Sequence, residues 1–165
     1  MPLLLATLKT PLGALHLLAD HHILIGANFS SVDDLQVPLD SVDRLREIRT
    51  IKTIPIITEL LQNYFDGDIA ALNSITVRQN GAVFSQAAWK AMRKVPAGKT
   101  ITYADLAAKS GSPAAVRAAG TACAKNSIVL VVPCHRIVKT GGALGNYAYG
   151  LDKKEWLLNH EGALL

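Results

Sequence analysis

Cysteine is scarce: Cys123 and Cys134 are the two in 165 residues. They form no CxxC pair, and with five histidines scattered along the chain they assemble no zinc-ligand spacing, so neither metal nor cofactor is expected. Long apolar runs are also missing. No stretch reaches about eighteen apolar residues, which excludes a membrane-spanning helix. The opening "MPLLLATLKTPLG" is interrupted by Lys9 and Pro11 too soon to serve as a signal peptide. Free thiols and no export signal predict a reducing compartment, the cytoplasm or, in a eukaryote, the nucleus. Acid is the scarcer charge, with 13 Asp and Glu against 17 Lys and Arg and a net charge of +4. That balance permits a polyanionic partner without requiring one.

What is present is a folding chain: half of its residues are hydrophobic, which excludes a mostly disordered protein. The first third reads as strands, with "TPLG" and "DHH" as hairpin connections. His16, His21 and His22 fall there without partners at ligand spacing and read as turn and surface residues. "SSVDDLQVPLDSVDR" is polar and reads as loop. "IPIITELLQNYFDGD" predicts a helix with Ile56, Leu60, Leu61, Tyr64 and Phe65 on one face, Pro55 in its first turn and residues 66 to 68 at its end. "NG" at 80 and 81 marks a turn, and a boundary between two lobes is placed there.

From residue 84 the pattern turns helical. Phe84, Ala88, Met92 and Val95 form an amphipathic stripe closed by Pro96 and Gly98. A short helix follows with Thr102 as N-cap and Gly111 as its stop; a second is expected to open at Ser112 with Pro113 in its first turn. Two short helices around a glycine turn have the outline of a helix-turn-helix. The second is thin, with Ala114, Ala115, Ala118, Ala119, Gly120 and Ala122, and Arg117 is its one long charged side chain. Such a helix could approach a narrow DNA groove closely. Equally, its small residues could only tighten a helix–helix contact, with Arg117 pointing to solvent. Trp89 and Trp156 read as core anchors, and Cys123 as a small apolar packing residue.

"SIVLVV" reads as a strand buried on both faces, ended by Pro133. Cys134 would then sit at the rim of the core, beside His135 and Arg136. A thiolate there would be nucleophilic if its neighbours stabilised it, and a disulfide to Cys123 would disable it. Successive strand residues point to opposite faces, so His135 serves Cys134 only if the chain turns. A third group, from Asp152, Glu155 or Glu161, would orient the histidine. A Cys-His pair by itself supports several reactions, hydrolysis among them.

"PCHRI", with Asn126 upstream, "ITYADLAAKSGSPAAVRAAG" before it and "GGALGNYAYGLDKKEWLLNHEG" after it, resembles the signature of the O6-alkylguanine-DNA alkyltransferases, the methylated-DNA–protein-cysteine methyltransferases. The likeness is strong over residues 84 to 162 and looser before. It implies an α/β (α+β) fold: a small sheet-containing, ribonuclease-H-like, structural N-terminal domain over residues 1–80, packed on a mainly helical domain over 81–165 that binds DNA through the helix-turn-helix and accepts the alkyl group. It also implies a monomer acting on double-stranded DNA that carries O6-alkylguanine, with O4-alkylthymine as a second substrate, and no membrane partner.

The roles it implies run residue by residue. Cys134 would accept the alkyl group as a thioether. His135, through a water, would take the thiol proton, with Glu161 orienting the ring and Asn126 pinning the turn. Tyr103 would press on the DNA backbone and hydrogen-bond the extruded base. Arg117 would fill the gap left in the duplex. Ala104, Ser112, Ala114, Ala115 and Thr140 would meet the DNA, and Tyr147, Ala148 and Tyr149 would line the pocket above the thiol. Two departures stand out. Ser127 replaces a common proline, which predicts a less rigid hinge, and bulky Tyr149 predicts a tighter pocket that disfavours benzyl over methyl groups. The alternative is a helix-turn-helix damage sensor or regulator without chemistry, although such sensors replace the acceptor cysteine.

Overall fold

Apolar residues recur through Leu3–Thr10 (β1), Gly13–Asp20 (β2) and Ile23–Asn28 (β3), and these three strands form an antiparallel meander. The structure is a computed structural model and describes residues 1–164. The Thr10–Gly13 connection is tied by the Thr10 hydroxyl donating to the Gly13 carbonyl at 2.7 Å. The second hairpin turns at His21 with φ +55°. Ile48–Thr50 (β4) adds parallel to β1 and Thr76–Val77 (β5) parallel to β3, giving the order β4-β1-β2-β3-β5. On one face Leu3, Leu5, Leu18, Ile25, Leu35 and Leu39 are buried together, each side chain contributing about 2 kcal/mol on removal from water.

The polar segment between β3 and β4 is more ordered than the loop expected of it. It holds a 3₁₀ turn at Asp33–Leu35 and one turn of helix, Ser41–Arg44 (α1), capped by Asp40 accepting from the Asp43 amide at 2.8 Å. Here Arg46 donates to Asp20 at 2.8 Å and Arg78 to Asp43 at 2.8 Å. The Arg46 hydrogen bond holds the Asp20 carboxyl well below the usual carboxylate range.

The next helix is Ile57–Phe65 (α2), two residues later than its proline suggests. Pro55 and Ile56 precede it in a γ-turn, with the Ile57 amide donating to the Pro55 carbonyl at 2.8 Å. Ile56 has φ +72° and is exposed, so it leaves the expected apolar face, which Ile57, Leu61 and Tyr64 supply.

Two compact units divide the chain: Met1–Asn80 with Ser127–Val131, and Gly81–Asn126 with the segment from Val132 on. The placement of Ser127–Val131 differs from the boundary read at residue 80. The reason is backbone pairing: the Ala27 amide donates to the Ser127 carbonyl at 3.0 Å and the Val129 amide to the Ala27 carbonyl at 3.1 Å. "SIVLVV" is buried as expected but is not a strand. Only Ile128 bridges Ala27; the chain then reverses at Leu130, φ +73°, where the Val131 amide donates to the Val129 carbonyl at 2.9 Å. Apolar runs report burial, and a γ-turn can be buried as well as a strand. Ser127 is held firmly despite lacking a proline ring: its amide and its hydroxyl both donate to Gln79 Oε1, at 2.9 and 2.8 Å.

In the second unit Val83–Arg93 (α3) buries Ala88, Trp89 and Met92. The Trp89 indole donates to the Ala122 carbonyl at 2.9 Å, while Trp156 is only partly buried and stacks on His160. Ile101–Thr102 (β6) pairs in parallel with Ile137–Val138 (β7). Tyr103–Lys109 (α4) begins with a capping box, the Thr102 hydroxyl accepting from the Asp105 amide at 3.0 Å and the Asp105 carboxylate from the Thr102 amide at 3.1 Å. It ends at Gly111, φ +99°, with the Ser112 amide donating to the Ala107 carbonyl and the Gly111 amide to that of Ala108, the paired closure that a left-handed residue permits.

Val116–Ala124 (α5) starts four residues later than read from Ser112 and Pro113; Ser112–Ala115 is a turn closed by the Ala115 amide on the Ser112 carbonyl. Ala119 and Ala122 are its buried positions. Leu151–His160 (α6) completes the unit. Among the described residues no helix is long and apolar enough to cross a membrane.

Candidate active site and nucleic-acid interface

The segment leading to Cys134 is built to turn. Pro133, with φ −84° and ψ 68°, sits at the centre of an inverse γ-turn closed by the Cys134 amide on the Val132 carbonyl at 2.9 Å. Cys134–Arg136 then winds as a single 3₁₀ turn. Cys134 and His135 are therefore not consecutive residues of a strand, and the opposite-face objection falls away. Asn126 reaches across, its amide donating to the Val132 carbonyl at 2.8 Å, and its side chain also hydrogen-bonds the thiol.

Behind the thiol lies a closed polar cluster. His135 and Glu161 are buried, with His135 Nε2 and Glu161 Oε2 at 2.8 Å. The same carboxylate accepts from Arg136 Nε at 2.8 Å and Nη2 at 3.0 Å, and Arg136 Nη1 donates to the Val95 carbonyl at 2.7 Å. Burial pushes the His135 pKa down against the pull of Glu161, so the ring is neutral. Glu161 lies well below the usual carboxylate range: burial pushes it up, but His135 and Arg136 together outweigh that. Nδ1 of His135 is buried and has no hydrogen-bond partner among the described residues.

In front of the thiol is a cavity of about 510 Å³. Cys134 lines it together with Tyr103, Arg117, Tyr147 and Ala148. Tyr149 is not in its wall; it packs edge-on to Tyr147, with ring centroids 5.7 Å apart, so any narrowing by its bulk acts through Tyr147. Tyr103, the first residue of α4, hydrogen-bonds the Asn146 backbone, and burial raises its hydroxyl pKa. Gly145 leaves it room: a Cβ there would come within 2.9 Å of the Tyr103 hydroxyl, and its φ is +77°. Arg117 is exposed. Ala104, on α4, and Thr140 are also exposed, while Ser112, Ala114 and Ala115 occupy the turn between the helices rather than the start of α5.

Burial raises the Cys134 pKa, opposed by the Asn126 hydrogen bond and by the nearby Lys154 charge. Cys123, in the same wall, is raised to about 12, chiefly by burial. Among the described residues no cluster of three or more His, Cys, Asp or Glu side chains could hold a metal.

Comparisons with known proteins give the family and the fold. Residues 83–163 match the family described as "6-O-methylguanine DNA methyltransferase, DNA binding domain". The methylated-DNA–protein-cysteine methyltransferase of Shigella flexneri is 35% identical over 162 residues, covering 96% of this chain and 95% of its own length. The chain belongs to that family. The Salmonella typhimurium protein of the same name is 42% identical over 109 residues, which span 66% of this chain and 64% of that relative. The crystal structure of Mycobacterium tuberculosis OGT in complex with DNA superimposes with a TM-score of 0.79 at 26% identity, covering 97% of this chain and 93% of that one.

One residue beside this cavity escaped the sequence reading. Lys154 is wholly buried on α6, its ammonium donating to the Ile137 carbonyl at 2.6 Å and the Asn146 carbonyl at 3.1 Å, and standing 5.9 Å from the Tyr103 ring centroid. Burial lowers its pKa. Lys154, Leu157, Leu158 and Glu161 are spaced i, i+3, i+4, i+7. A lysine on that buried stripe was the available signal.

Proposed function

We propose that the chain is a single-use DNA repair protein that transfers a methyl or other alkyl group from O6-alkylguanine in duplex DNA, and by the same attack from O4-alkylthymine, to Cys134. It acts as a monomer in the cytoplasm, or in the nucleus of a eukaryote. The observation that carries this reading is the position of Cys134, in the wall of a nucleobase-sized cavity with Tyr103, directly before the buried His135–Glu161 pair.

The chemistry follows from the geometry. A stacked base keeps its O6 substituent out of reach of a buried thiol, so the nucleotide must be extruded into the cavity at a cost of a few kcal/mol, least where pairing is already damaged. Arg117 occupies the space left in the stack. Ala104, Ser112, Ala114, Ala115 and Thr140 meet the groove and backbone, where small side chains permit close approach. His135 Nε2 is engaged by Glu161, which leaves Nδ1 to take the thiol proton through a bridging water. The sulfur attacks the alkyl carbon; the carbon–sulfur bond forms as the bond from carbon to O6 breaks, and the electron pair passes into the guanine ring. The Tyr103 hydroxyl supplies a hydrogen bond and a proton to that ring, so neutral guanine leaves. Tyr147 and Ala148 confine the alkyl group, with Tyr149 backing the Tyr147 ring. The thioether has no leaving group at hand, and the protein is inactive afterwards.

The test is incubation with duplex DNA carrying labelled O6-methylguanine. Label should appear on Cys134, at no more than one equivalent, and be absent from Cys134→Ala. Damage-specific binding without transfer would instead identify a sensor, and turnover beyond one equivalent would exclude the mechanism.

A further inference from the structure

The cavity wall contains one exposed cation to which the family resemblance gives no role. Lys139 follows β7, and the register Thr102↔Val138 brings the chain at Lys139 level with Tyr103 as both leave the parallel pair. Its backbone is pinned in the glycine turn that follows: the Lys139 amide donates to the Ala143 carbonyl at 2.8 Å, and its carbonyl accepts from the Gly142 amide at 3.1 Å. The side chain is exposed, lines the cavity with Arg117, and makes no ion pair among the described residues. No Asp or Glu lines that cavity. The lining is therefore positive, with one cation on α5 and the other just after β7.

We propose that Lys139 binds the phosphodiester of the strand whose nucleotide enters the cavity, a backbone contact separate from the stack-filling role of Arg117. The proposal rests on the repair reading above. A nucleotide swung out by rotation about its backbone carries its flanking phosphates to the rim of the pocket, and a pinned lysine there neutralises one of them. Such a contact positions the strand and carries no sequence information.

The experiment compares the full chain with Lys139→Ala and Lys139→Arg. Affinity for duplex is measured across a salt series, and alkyl transfer is measured from both duplex and free O6-methylguanine. Removing one phosphate contact should lower the slope of log affinity against log salt by about 0.9, and duplex repair should fall several-fold more than reaction with the free base; Lys139→Arg should restore both. An unchanged slope, or equal losses on duplex and free base, would overturn the proposal. Failure of the unmodified chain to alkylate Cys134 at all would instead overturn the repair reading, while the salt slopes would still report whether Lys139 meets phosphate.

Discussion

His135 and Glu161 meet at 2.8 Å, Nε2 to Oε2, in a buried cluster whose remaining charge is supplied by Arg136. The carboxylate selects the tautomer with the proton on Nε2 and leaves Nδ1 basic. In Glu161→Gln the side-chain amide can donate to Nε2 and reverse that choice. Transfer to Cys134 should fall roughly a hundredfold or more, the range of a lost general base, while affinity for duplex stays within about twofold. Single-turnover rates and a binding titration check this; an unchanged rate removes His135 from the mechanism.

Arg117→Ala should separate base extrusion from chemistry. If the guanidinium fills the gap in the stack, its loss returns part of the few kcal/mol that extrusion costs, and about 1.4 kcal/mol is a factor of ten in rate. Repair in duplex should slow about tenfold more than reaction with free O6-methylguanine. Equal slowing of both would mean that Arg117 only lines the cavity.

Lys154→Met keeps the length of the side chain and removes its charge. The Ile137 and Asn146 carbonyls lose their donor, a change worth about 1–3 kcal/mol in buried surroundings. The thiolate of Cys134 also loses a favourable cation. A lower midpoint in denaturant together with a higher thiol pKa, read by ultraviolet absorbance, is expected. Stability lost with no change in the thiol would restrict Lys154 to packing.

His135 sets the acid behaviour. Its pKa in the folded chain lies below the ordinary 6.5, with burial as the chief cause. As pH falls through 6.5 the unfolded chain binds a proton that the folded one refuses, so stability declines with acid, by at most about 1.4 kcal/mol per pH unit from this group. The neutral, basic ring persists below that pH, so the acid limb of the transfer rate should lie under 6.5. A limb at 6.5 or above would contradict a buried neutral ring.

Gln79→Ala should loosen the segment at Ser127, which loses the acceptor of two hydrogen bonds. A cost of about 1–2 kcal/mol is expected. Ser127→Ala keeps the amide bond to Gln79 and should cost less. Equal midpoints for the two variants would show the backbone bond to be idle.

Much of this architecture was legible because local chemistry and tertiary packing agree. The stripe at Ala88, Met92 and Val95, the Thr102 cap and the Gly111 stop are each satisfied by contacts within a few residues or by one buried face. The misreadings have different causes. Pro113 favours a helix start, yet the Ser112–Ala115 turn takes it and α5 begins at Val116. "SIVLVV" has strand composition, but its ladder partner reaches only Ile128, and beyond that hydrophobicity could not distinguish strand from γ-turn. The Cys134–His135–Glu161 grouping came from the family resemblance, since residues twenty-five or so apart carry no spacing rule of their own. Lys154 was missed because a charged residue on an amphipathic helix is normally assigned to solvent.

If Cys134 reacts only once, as the proposed repair chemistry requires, its raised pKa has a consequence. A buried thiol with a raised pKa is a poorer target for stray electrophiles than an open thiolate. An alkylating agent loose in solution should then leave most of the Cys134 population unmodified.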